Sequence, residues 1–234
     1  MRNEYFAVIE ELSKEVENTQ MGNIVEAGKL IADSIMSGGI LQAFGSGHSY
    51  AAAIEITGRA GGLIPAKNMK EPAGGAYETV EGVGELFLKK SDIRKNDVIV
   101  LISNSGRNPL PIEIAIKAKS IGAKVIVVTA LDSSKELSSK HSSGKNLWEF
   151  GDVVLDNRVV KGDSSVEVKG LPVKVCGTSS ISAALMLNAA VLEAIKIMVA
   201  NDYFPPIYMS QNVDGGPEFN EKLVQQYADR LFRL

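Results

Sequence analysis

The chain has 234 residues, 45% hydrophobic and 23% charged, which suits one globular α/β domain and is short for two. A net charge of -3 and a pI near 5.6 give no overall basic footprint for nucleic acid. The single cysteine, Cys176, excludes an intrachain disulfide and fits a reducing compartment.

The opening stretch, MRNEYFAVIEELSKEVEN, carries glutamates and no unbroken apolar core, so it does not read as a signal peptide. The apolar stretches fall short of the ~20 residues that span a bilayer. A soluble cytoplasmic protein without a membrane partner is expected. Tyr5, Phe6, Val8, Ile9, Leu12 and Val16 recur at helical spacing, and Ile24, Ala27, Leu30, Ile31 and Ile35 do so again before Gly38-Gly39. Two amphipathic helices are predicted over about residues 1–38, packing on the body or on a partner subunit.

Apolar runs then alternate with helical patterns. Ile40–Phe44, Val98–Ile102, Val125–Val128, Val153–Leu155 and Val173–Cys176 read as strands, with helices over Tyr50–Ala60, Pro109–Ile121 and roughly Ile181–Ala200. Continuous apolar strands separated by helices predict a three-layer αβα sandwich on a parallel sheet of about five strands. Gly61-Gly62 and Gly122 are candidate helix C-caps. Residues 67–90 predict a loop and an irregular helix, residues 156–172 a polar loop, and about 217–232 a final helix. The pattern gives one domain over 1–234 with helical extensions at both ends.

Open parallel sheets place ligands beyond the C-terminal ends of their strands. Two strands end in unusual loops, Gly45-Ser46-Gly47-His48-Ser49 and Ser103-Asn104-Ser105-Gly106-Arg107-Asn108. A helix follows each, and its free N–H groups and dipole favour an anion, with glycine allowing close approach and hydroxyls adding neutral donors. Asn108-Pro109 is also a good helix start. The first loop lacks the third glycine of GxGxxG, and the run Leu63–Ala66 ends in Lys67 where a ribose-binding acid is expected, which argues against a dinucleotide site. No GxxxxGK[ST] occurs.

The pairing of GSGHS with ISNSGRNP resembles the sugar-isomerase (SIS) domain family over roughly residues 25–200. LIADSIMSGGILQAFGSGHS is similar to the corresponding part of phosphoheptose isomerases, as is Glu55-Ile56-Thr57-Gly58-Arg59 to their glutamate and Leu-Thr-Gly-Arg segment. The histidine of their last core helix is replaced by Asn188 or a neighbour. Val80-Glu81-Gly82 resembles a segment of the N-acetylmuramic-acid-6-phosphate etherases, with Gly84 and Glu85 where a further glutamate follows. The chain looks closest to a phosphosugar isomerase/dehydratase subgroup. The resemblance implies a flavodoxin-like SIS fold, a small phosphorylated sugar, no cofactor, and a homodimer or higher homo-oligomer.

Both kinds of relative begin by removing a proton beside the carbonyl of an opened sugar. The enediolate then reprotonates, which is isomerisation, or expels a group from C3, which also benefits from an acid. Glu55, about 9 Å along a helix from Ser49, is the candidate base, or else a surface partner of Arg59. His48 is a candidate proton carrier and Glu81 a candidate second carboxylate among Glu71, Glu78 and Glu85. Gly47, Ser49, Ser103, Asn104, Ser105 and Asn108 are the candidate substrate-binding residues, with Arg107 either neutralising the anion or facing solvent. His141 reads as part of a solvated loop and Glu193 as a partner of Lys196. One cysteine and two histidines give no metal-ligand spacing. The expected function is a lyase (dehydratase) or isomerase acting on a hexose or N-acetylhexosamine phosphate. The alternative is a non-catalytic sugar-phosphate sensor acting through a partner protein.

Overall fold

The computed structural model describes residues 3–89 and 91–232. Five parallel strands form its centre, β1 (Leu41–Gly45), β2 (Ala66–Met69), β3 (Val98–Ile102), β4 (Lys124–Thr129) and β5 (Val153–Asp156), in the order β2-β1-β3-β4-β5. Side chains alternate between the faces, so Val98, Val100 and Ile102 enter one core while Ile99 and Leu101 enter the other. The first core is covered by α1 (Glu4–Met36), α2 (Ser49–Glu55) and α6 (Ser179–Ala200). The second is covered by α3 (Val83–Leu88), α4 (Pro109–Ile121) and a 3-10 turn, Leu147–Phe150. A short helix, α5 (Leu131–Lys135), follows β4, and α7 (Gly216–Leu231) closes the described chain.

Several elements differ from the sequence expectation. The two N-terminal helices are one helix of 33 residues, because nothing between them breaks the chain. Its buried stripe runs through Val16, Gln20, Ile24, Ala27 and Ile31, and the one polar member, Gln20, accepts the Asp156 N–H at 3.1 Å. The helix expected over Tyr50–Ala60 stops at Glu55, so Gly61-Gly62 are not its C-caps, and the Gly61 N–H goes to the Tyr208 carbonyl instead. Gly122 does cap α4, at φ 87°. The run Val173–Cys176 does not join the parallel sheet. Its end, β7 (Val175–Gly177), pairs antiparallel with β6 (Ser164–Val166) in a separate ribbon, and the fifth strand of the main sheet is β2. A central place would bury β7, yet Cys176 and Gly177 are exposed.

α6 has 22 residues with a mean hydropathy of 1.8 over its most apolar window, so by length and composition it is apolar enough to span a bilayer, contrary to the sequence count of apolar stretches. Here it packs against α1, α2 and the first core. The helices approach closely at Gly28, where an added Cβ would lie 2.7 Å from the Glu193 Cβ and 2.8 Å from the Ala190 carbonyl oxygen. Ile181, Leu185, Leu192 and Val199 face outward from α6.

The N-terminal ends of the strands are joined by Asp97, which is fully buried. Its carboxylate accepts the N–H groups of Ile40 (3.0 Å) and Arg94 (2.7 Å), the Gln42 amide (2.9 Å), and the Arg230 guanidinium of α7 (2.7 Å). Removing one partner of a buried ion pair leaves the other charge uncompensated. Asp97→Ala is therefore expected to cost about 3–5 kcal/mol, measured by urea denaturation, with Arg94, Gln42 and Arg230 all left short of an acceptor.

Candidate functional site

Gly45 and Ile102 are register partners, so the loops that follow β1 and β3 start side by side. The helices that follow lie on opposite faces of the sheet, α2 on the first and α4 on the second. The chain thus parts at this point and leaves a crevice, which is where open α/β sheets hold ligands.

The first loop turns back on itself. A Cβ at Gly45 would collide with the Ser49 carbonyl, and Gly47 sits at φ 55°. The Ser49 N–H closes the turn onto the Ser46 carbonyl at 3.1 Å. Ser46 is buried, and among the described residues its hydroxyl has no hydrogen-bond partner.

The second loop is tied at several points. Gly106 (φ 61°) donates its N–H to the Ser103 hydroxyl at 3.3 Å, and a Cβ there would meet the Ser134 hydroxyl. The Asn104 carbonyl accepts the Ala130 N–H at 3.1 Å. Asn157, just past β5, donates its side-chain amide to Asn104 Oδ1 at 2.8 Å. Asn108 holds the extended N-cap geometry ahead of Pro109. Ser49, Ile102, Asn104, Asn157, Ser179 and Ser180 line a cavity of about 10 Å³ between the loops and the start of α6, room for roughly one water. So Gly47, Ser49, Ser103, Asn104, Ser105 and Asn108 come together on two adjacent loops, with Ser49 and Asn104 sharing the cavity wall.

The acid–base candidates are spread more widely. His48 is exposed at the start of α2. Glu55 ends α2, and its Oε1 is shared by the Arg59 guanidinium and the Asn188 amide of α6 (3.3 Å). Glu81 belongs to the other layer, next to α3 and α4. It accepts both the N–H of Ser142 (3.0 Å) and the Ser142 hydroxyl, with His141 Nε2 at 3.6 Å. The Ser142 hydroxyl and N–H, aided by His141, hold the Glu81 carboxyl below the usual carboxylate range.

Sequence reasoning placed His141 in a solvated loop, whereas its side chain is only 10% exposed and faces Glu81. It also passed over Asn157, Ser179 and Ser180, and gave Ser46 a place in the first loop without a role. The Ser-Ser pair ahead of the apolar run of α6 was a visible helix-start signal, but only the fold brings it to the crevice. Glu193 pairs with Lys196 at 2.7 Å. Among the described residues no group of three or more His, Cys, Asp or Glu side chains is placed to hold a metal.

A strap over residues 71–84 runs from the first loop to α4. The buried Glu71 carboxylate accepts the N–H groups of Ala73 (2.9 Å) and Gly75, and Gly75 rests against Gly47. Further on, the Glu78 carbonyl accepts the Leu110 N–H (3.2 Å) in the first turn of α4, and Glu113 of α4 accepts the N–H groups of Gly82 and Gly84.

An α/β domain with serine- and glycine-rich loops meeting at a β1/β3 switch point is the architecture of sugar-isomerase domains. The family model described as SIS domain matches residues 4–130, and the chain belongs to that family. It is similar to a UPF0309 protein of Listeria monocytogenes, 56% identical over 230 residues and covering 98% of each chain. A UPF0309 protein of Halalkalibacterium halodurans is 38% identical over 240 residues, 99% of this chain and 96% of the relative. Among solved structures, a phosphoheptose isomerase from Francisella tularensis superposes with a TM-score of 0.58 at 18% identity, over 83% of this chain and 96% of that one. The phosphoheptose isomerase from Neisseria gonorrhoeae gives 0.54 at 22% identity, over 82% and 95%. At these identities the likeness is one of fold.

A carboxylate whose pKa is lowered on folding keeps its bonds above its ordinary value, near ~4.3, and loses them as the pH falls through the lowered one. The Ser142 amide should therefore stay hydrogen-bonded from neutral pH down to about that value and be released below it. Amide NMR across an acid titration checks this, and Glu81→Gln should remove the pH dependence.

Proposed function

We propose that the protein binds a small phosphorylated sugar at the paired loops and acts on it as a phosphosugar isomerase, with a hexose or N-acetylhexosamine phosphate as substrate. The observation that carries this reading is the side-by-side start of the Gly45–Ser49 and Ser103–Asn108 loops. Ser49, Ser103, Ser105 and Asn108 hold the phosphate, Gly47 lets it approach the backbone, and Asn104 contacts the sugar. The loop hydroxyls carry the phosphate without a lysine, because the Ser49, Tyr50 and Ala51 N–H groups bond to loop carbonyls and α4 opens on Pro109, Pro111 and a Leu110 N–H bonded to Glu78. The sugar chain then extends along α2 toward Glu55.

Glu55 takes the C2 proton of the opened sugar and returns it to C1. The Arg59 and Asn188 contacts fix the carboxylate's direction. Glu81 stands on the opposite layer as a second carboxylate, and His48, at the edge of the first loop, passes protons to the ring oxygen. The same enediolate would serve a dehydratase if an acid stood beside the C3 substituent.

The outer face of α6 supports a homo-oligomer. Ile181, Leu185, Asn188 and Leu192 follow one another at steps of four, three and four residues, the spacing of a helix-pairing seam with a single polar position. The same seam of a second copy suits it by two-fold symmetry. Leu192→Glu is expected to convert a dimer into monomers in sedimentation velocity runs.

Incubating the protein with hexose, hexosamine, N-acetylhexosamine and heptulose phosphates in deuterated water tests the reaction by NMR. Deuterium entering at C2 with an aldose–ketose product is the expected result. Glu55→Gln should then slow exchange by about 10²–10⁴-fold, and Ser105→Ala should raise KM by about ten-fold or more. Binding of every phosphate without exchange would overturn the enzyme in favour of a sensor.

A further inference from the structure

Two donors from one neighbouring loop, the Ser142 N–H and the Ser142 hydroxyl, converge on a carboxylate carried by the strap, that of Glu81, and His141 Nε2 stands 3.6 Å from it. His141 Nδ1 faces Ser143, with its hydroxyl at 2.8 Å and its N–H at 3.1 Å, and Nε2 faces Glu81. The donor loop is itself fastened to the second loop. The Lys140 N–H reaches the Arg107 carbonyl (2.8 Å) and the Leu147 N–H reaches the Gly106 carbonyl (2.7 Å). The strap meets the first loop at Gly75 and α4 at Glu78, so Glu81 is located from both sides of the crevice.

Stability does not account for this arrangement. Exposed ion pairs contribute little to folding, and the larger apolar residues of the strap, Tyr77 and Val80, are exposed rather than packed. The strap is held by backbone N–H groups on Glu71 and Glu113 and by this seat.

We propose that His141 and Ser142 are positioning residues that seat Glu81 over the second loop as the site's proton acceptor for a sugar hydroxyl. The inference rests on the phosphosugar reading and deepens it by selecting the reaction. In the aldose-to-ketose step, Glu55 removes the C2 proton while Glu81 takes the proton of the C2 hydroxyl. Glu81 then gives that proton to O1, and Glu55 returns the other to C1, so no atom is gained or lost. Expelling a C3 hydroxyl instead needs a group that arrives protonated. A carboxylate already accepting the Ser142 N–H and hydroxyl, with His141 Nε2 at 3.6 Å, is the wrong one, and isomerisation follows.

The test compares wild type with Glu81→Gln, His141→Ala, His141→Gln, Ser142→Ala and the Glu81→Gln/His141→Ala double variant. Backbone hydrogen exchange, followed by mass spectrometry without ligand, should speed up across residues 73–82 in His141→Ala and Ser142→Ala, and His141→Gln should restore protection. With the hexose phosphate that wild type isomerises, His141→Ala should lower kcat about 100-fold with KM little changed. The same substitution should cost nothing further in the Glu81→Gln background. An equal loss in both backgrounds, or unchanged kcat and strap exchange in His141→Ala, would overturn the proposal. A C3-elimination product from wild type would overturn the selected reaction. If wild type turns over no sugar phosphate, the phosphosugar enzyme reading fails. Hydrogen exchange alone then decides the seat: faster strap exchange in His141→Ala, with none added in the double variant, supports it, and unchanged exchange removes it.

Discussion

One buried carboxylate at the blunt end of the sheet sets the geometry at the other end. Asp97 receives N–H groups from just before β1 and from the turn before β3, and so fixes how far one strand slides past the other. The Val98 N–H to the Ile40 carbonyl (3.1 Å) repeats that registration one residue on. Five paired residues later, Gly45 and Ile102 end level, and the two loops emerge together. A slip of one residue would turn every inward side chain of β1 outward, and it would also part the two serine-bearing loops. Arg230 of α7 supplies the opposite charge, so a helix far along the chain neutralises the group that aligns the strands. The buried pair therefore bears more on register than on net stability, since burying charges is itself costly.

Much of this architecture was legible in the sequence, for reasons particular to each element. Val98–Ile102 is a continuous β-branched and leucine run and was placed to the residue. Pro109–Ile121 carried its own start and stop in Asn108-Pro109 and Gly122. The failures came where local chemistry was weak or tertiary contacts decided. Lys67 and Asn68 make β2 look polar, because it is the edge strand, and Val173–Cys176 looked more strand-like than the segment that took its place. The apolar spacing lapses between Val16 and Ile24 and was read as a break between two helices, yet nothing there stops α1, and α6 packs against its buried stripe. At the site, the loops could be read from their residue types. The Glu81–His141 meeting could not, because 60 residues of chain separate the partners and only the docking of the loop after α5 onto the second loop unites them.

The crevice has two unlike walls. The α2/α6 wall is built from a helix end, Glu55, and a rigid neighbour, Asn188. The strap wall is built from backbone N–H groups shared among three carboxylates, Glu71, Glu81 and Glu113. Hydrogen bonds of this kind open at lower cost than a packed apolar core. The cavity of about 10 Å³ between the loops and α6 has room for roughly one water and is lined by none of the strap residues.

The Arg230–Asp97 bond places the end of α7 at the opposite pole of the sheet from both loops. Anything attached beyond that helix, such as an affinity tag, a fluorophore or a surface linker, therefore sits one full strand length from the crevice. Immobilised by that end, the protein would offer its loops freely to dissolved ligands, whereas an attachment at Ser49 or Ser105 would cover the feature being measured.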